Sequence, residues 1–109
     1  MNRKFIWSDI FCKRWKELGF TEDDQIRLEK MLISDPHVGK VIPGTHGLRK
    51  MRFAFEGGGK RSGSRICYVD IVRKESIYVI LVYSKNEQDD LTPSQIKIIN
   101  NLIDEAKGE

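Results

Sequence analysis

Residues 47–84 read GLRKMRFAFEGGGKRSGSRICYVDIVRKESIYVILVYS, and this run decides the fold. Residues 47–55 alternate, with Met51, Phe53 and Phe55 on one side of an extended chain and Lys50 and Arg52 on the other. A glycine-rich stretch follows, then extended runs at 64–72 and 77–84. The last of these is apolar on both parities, as a strand covered on both faces would be. Three strands joined by short connections make a meander, the centre of a mainly antiparallel sheet.

Outward from the meander the punctuation is helical. Thr92, Pro93, Ser94 and Gln95 spell a capping box with proline at the first helical position, and Ile96, Ile99, Leu102 and Ile103 then recur at helical spacing. Upstream, residues 4–7 read as a short strand. Residues 9–18 read as a helix with Phe11, Trp15 and Leu18 on one stripe, stopped by Gly19. Thr21 caps a second helix whose first turn holds Glu22, Asp23 and Asp24, where the helix dipole favours acids. Leu28, Met31 and Leu32 form one stripe of that helix and Ile26, Lys30 and Ile33 another, so a broad apolar face is expected before Asp35 and Pro36 end it. Residues 38–47 read as an irregular crossing. The sum is one α+β domain over residues 1–109, two N-terminal helices packed on the sheet and a C-terminal helix closing it.

Charge is concentrated rather than spread. Residues 49–65 hold Arg49, Lys50, Arg52, Lys60, Arg61 and Arg65 against the single acid Glu56, a local balance of +5 in a chain whose net charge is +3. A focused cationic patch on a strand, loop and strand unit points to a polyphosphate partner, RNA or DNA. Lys50 and Arg52 sit about 7 Å apart on one sheet face at ~3.3–3.4 Å per residue, a spacing that suits adjacent phosphate oxygens. Arg65 opens the next strand and Lys85 ends the one after, so four cations are expected to converge. His46, four residues before Lys50, is a possible participant.

Other chemistries are excluded. Lys60 is followed by Arg61 and a strand rather than by Ser or Thr and a helix, so residues 56–64 are no nucleoside-triphosphate loop. Cys12 and Cys67 are too few for a disulfide framework or a zinc site and read as core thiols; no metal and no cofactor is expected. No window is long and apolar enough to span a membrane, and the first residues lack a secretion signal, so a cytoplasmic location with no membrane partner is expected.

In order along the chain come Ile42, Pro43, Gly44 and Thr45; Gly47 to Arg52 as GLRKMR; Gly59 to Arg65 as GKRSGSR; and Tyr83 to Glu87 as YSKNE, followed by Asp90, Leu91 and Thr92. This series resembles the HigB-like branch of the RelE/ParE toxin superfamily, the small toxins of type II toxin–antitoxin modules. The resemblance implies a RelE-like fold and an mRNA interferase, an endoribonuclease acting in the decoding site of the 70S ribosome. There the 2′-hydroxyl attacks the adjacent phosphate and leaves a 2′,3′-cyclic phosphate. It implies a cognate antitoxin as partner, and contact with operator DNA only through that complex. Carried over by position, it implies Lys50, Arg52, Arg65 and Lys85 as the catalytic set, with Lys50 as base and the arginines as phosphate clamps. Arg49, Lys60, Arg61 and Asn86 would bind RNA, and Tyr68 or Tyr83 would replace the family's base-stacking tyrosine. Two rival readings share these cations: a ParE-like toxin that inhibits gyrase, and a non-catalytic RNA- or ribosome-binding module.

Overall fold

The structure, a computed structural model, describes residues 3–54, 63–88 and 90–108. Strand β1 (Lys4–Trp7) leads into helices α1 (Asp9–Glu17) and α2 (Glu22–Ser34). A two-residue strand β2 (Lys40–Val41), then β3 (Arg49–Phe53), β4 (Ser64–Ile71) and β5 (Ser76–Ser84) follow, and α3 (Pro93–Lys107) comes last. The sheet runs β1-β5-β4-β3-β2. All its pairings are antiparallel except β1 with β5, which run parallel.

The sheet is the middle of a sandwich. On one face α1 and α2 bury Phe11, Trp15, Leu28 and Leu32 against Met51, Phe53, Ile66, Tyr68 and Val79. Aromatic rings form a continuous run on this side: Trp7, Phe11, Trp15 and Phe20 follow one another at centroid separations of 5.3, 5.1 and 4.2 Å, the first pair tilted and the other two stacked. On the other face α3 sets Ile99 and Ile103 on Leu48, Cys67, Val69 and Ile80. Burial on both faces is why β5 reads as apolar on both parities.

Local chemistry ends the helices where the sequence signals them. Ser8 caps α1 by accepting from the Phe11 amide. Thr21 with Asp24 and Thr92 with Gln95 each close a capping box. Gly108 terminates α3 at φ 80°, in the left-handed region that glycine adopts without a Cβ clash.

Three expectations are corrected. The crossing at 38–47 contains β2, too short to carry a periodic signal. The second stripe of α2 faces solvent, Ile26 and Ile33 being exposed, so that helix buries only a narrow face. Cys12 is exposed while Cys67 is buried. Phe55, part of the expected first meander strand, lies outside the described residues, as do Lys60 and Arg61.

Candidate nucleic-acid interface

Strand pairing builds the site. On β3, alternation sends Met51 and Phe53 into the aromatic core and leaves Lys50 and Arg52 on the opposite face. Register then places Arg65 of β4 directly across from Arg52 and Lys40 of β2 directly across from Lys50. Directly opposed residues share a face with their Cβ atoms about 4.5–5.5 Å apart, and like charges so placed repel. Two cation pairs therefore stand side by side on one surface. Lys85, just past the end of β5, is brought alongside because its amide donates to the Gly63 carbonyl at 3.0 Å. Lys40, Lys50, Arg52, Arg65 and Lys85 all line one open cavity of about 680 Å³, with Met31, Val38 and Met51 as its apolar wall.

A short strand and a buried tyrosine keep this cavity open. β2 covers β3 only opposite Arg49 and Lys50, so among the described residues the β3 edge beyond Lys50 has no strand beside it. The chain before β2 is drawn away by Tyr68, whose hydroxyl donates to the Pro36 carbonyl at 2.8 Å and accepts from the Gly39 amide at 3.0 Å. Gly39 lies so close that a Cβ there would stand 3.0 Å from the Lys50 carbonyl oxygen and 3.1 Å from the Tyr68 ring.

The turn carrying Lys85 is fixed by Glu87. Its carboxylate accepts from the Ser84 amide at 3.0 Å and is gripped by the Arg14 guanidinium of α1. A hydrogen bond to Glu17, opposed by partial burial and reinforced by Glu87, holds the Arg14 pKa above its ordinary value. One acid reaches the cations: an Asp90 carboxylate oxygen lies 3.7 Å from Lys50 Nζ, with Asp90 almost wholly exposed. Arg65 is oriented by donating to the Gly63 carbonyl at 2.9 Å. Among the described residues Lys40, Arg52 and Lys85 form no ion pair.

The cavity thus unites Lys50, Arg52, Arg65 and Lys85, and adds Lys40. Periodicity could not reveal Lys40, because its two-residue strand is too short to alternate. Other expected participants stand elsewhere. Arg49 points to the opposite face and donates to the Gly39 carbonyl at 2.8 Å. Tyr68 is fully buried, and burial first of all raises its pKa; Tyr83 is 3% exposed and packs in the core beneath α3. Neither ring offers a face to a base. His46 is turned onto α3, its Nδ1 2.7 Å from Asp104 Oδ1 and its amide donating to Asn100 Oδ1 at 2.9 Å. It does not line the cavity. Asn86 is exposed but also lies outside the lining.

No protein-family model matches the chain. Solved structures do. A mutant of the E. coli toxin RelE in the free state superposes with a TM-score of 0.63 at 20% identity, covering 90% of this chain and 97% of that one. The isolated E. coli RelE toxin gives 0.55 at 18% identity over 92% and 98% of the two chains. The E. coli RelBE toxin–antitoxin complex gives 0.54 at 21% identity over 75% and 95%. Strand order, flanking helices and superposition agree: the chain has the fold of the RelE toxin.

Proposed function

We propose that this protein is the toxin of a type II toxin–antitoxin pair, of the HigB-like branch, and that it cleaves mRNA on the ribosome. The observation that carries the reading is the meeting of five cations from β2, β3, β4 and the end of β5 in one open cavity, on a RelE-type fold. In-line attack by a 2′-hydroxyl builds a doubly charged phosphorane, and clustered guanidinium and ammonium groups stabilise that charge where it develops. Arg52 and Arg65, facing each other across two strands, clamp the phosphate. Lys50 acts as base and Lys85 as secondary clamp or acid. Guanidinium groups, with pKa above about 12, are poor proton carriers, and among the described lining residues the side chains able to move protons are lysines. Such a site is slow unless something else orients the 2′-hydroxyl, which gives the ribosome its part. Asp90 shields Lys50 until the message exchanges a phosphate for it. The partners that follow from this reading are the 70S ribosome, mRNA and a cognate antitoxin.

The test combines purified ribosomes, a defined mRNA and the protein. Codon-spaced cuts are expected. Lys50→Ala and Arg65→Ala should each lower the cleavage rate about 10²–10³-fold while ribosome affinity falls far less. Proportional loss of both would leave a binding module, and intact message beside inhibited gyrase would leave a ParE-like toxin.

A further inference from the structure

The fold places two like-charge pairs next to each other, and one scissile phosphate needs only one of them. Arg52 faces Arg65, and two residues along β3 Lys50 faces Lys40. Repeating a strand by two residues moves a side chain about 7 Å along the same face, roughly one backbone step of an extended single strand. Opposed like charges destabilise a sheet unless an anion lies between them. The cavity also has an apolar side, for Met31, Val38 and Met51 line it beside the cations. Val38, two residues before Lys40, is a branched side chain 45% exposed to solvent. Phosphate-sized charge pairing next to an apolar wall is the chemistry of a whole nucleotide, not of a bare anion.

We infer that Lys40, directly opposite the base Lys50, seats a second phosphate, adjacent to the one held by Arg52 and Arg65. The nucleobase attached to that phosphate packs on Met31 and Val38. This deepens the nuclease reading and rests on it: the message is gripped over at least two consecutive phosphates, and the second nucleotide sets its register in the cavity. Lys40 is a substrate-binding residue here. It touches the substrate one step away from the bond that breaks, and the seat exists because β2 ends after two residues.

The test is single-turnover cleavage of ribosome-bound mRNA, comparing the protein with Lys40→Ala and Val38→Ala. The messages are unmodified, or carry one neutral methylphosphonate on either side of the cleaved phosphate, or one abasic nucleotide next to it. On the unmodified message Lys40→Ala should slow cleavage on the order of ten-fold, as loss of one charged hydrogen bond does. On the message with the neutral linkage at the second seat it should cost nothing further. Val38→Ala should likewise slow cleavage of normal mRNA and leave the abasic message unaffected. Because each comparison is a cycle, any effect of the modified message on decoding itself cancels. Costs that multiply independently on every message would overturn the second seat while leaving the nuclease reading intact. Absence of cleavage by the unaltered protein would overturn both. Lys40 and Val38 are exposed, so a matching urea midpoint for each variant confirms that folding is not what changed.

Discussion

On the nuclease reading, Arg52 and Arg65 serve function at the expense of stability. They stand opposite each other on adjacent strands with no acid bridging them among the described residues, a placement that weakens the sheet. Arg52→Ala should therefore leave the urea midpoint unchanged or raise stability by up to about 1 kcal/mol, while ribosomal cleavage drops about 10²–10³-fold. A destabilised variant would mean that Arg52 is a structural residue. Lys50 and Arg52 were legible in sequence because a strand's two-residue period sorts side chains by face, and Arg65 and Lys85 because they flank apolar runs. Tyr68 was not. A buried tyrosine and a base-stacking one look alike until the hydroxyl's partners, here the Pro36 carbonyl and the Gly39 amide, are known. His46 misled for a related reason: nearness in sequence to Lys50 says nothing of Asp104, 58 residues away along the chain, which claims its ring.

β2 and β3 set the width of the cavity, and Gly39 sets their spacing. An alanine Cβ would meet the Lys50 carbonyl at 3.0 Å, a backbone atom that cannot swing aside. Gly39→Ala should cost about 1–3 kcal/mol, as overpacking does, read as a lower urea midpoint, and should impair cleavage by shifting Lys40 away from Lys50. Unchanged stability would show that the crossing gives way more freely than its hydrogen bonds to Tyr68 imply. The long elements were readable from local chemistry alone: Thr21 and Thr92 mark helix starts, and Pro36 and Gly19 mark stops. β2 was not, because two residues carry no period and are held only by their partner strand. Ile26 and Ile33 of α2 misled because helical spacing shows which residues share a face, not whether another layer covers it.

Burial on both sides of the sheet gives the domain a pH-dependent stability. Cys67 lies beneath α3, and burial pushes its thiol up from 9.0 to about 12, opposed by the Lys50 charge. The folded chain thus holds that proton more tightly than the unfolded chain. Its contribution is fully present below about pH 9 and declines as pH rises toward 12, by about 1.4 kcal/mol per pH unit at most. Urea melts at about pH 8 and about pH 10 should show stability falling with alkalinity, more steeply for the native sequence than for Cys67→Ala. Equal slopes would assign the alkaline loss to other groups.

The pairing of β1 with β5, Lys4 beside Ser76, also dictates a timetable. A nascent polypeptide exposes its opening strand long before that strand's neighbour has been translated, and contacts so distant in sequence form late and slowly. β5 also flanks β4, so it alone joins β1 to the rest of the sheet, and Lys85 emerges only after it. A precursor that stops short of this strand leaves β1 unpaired and lacks Lys85, so its cation set is incomplete.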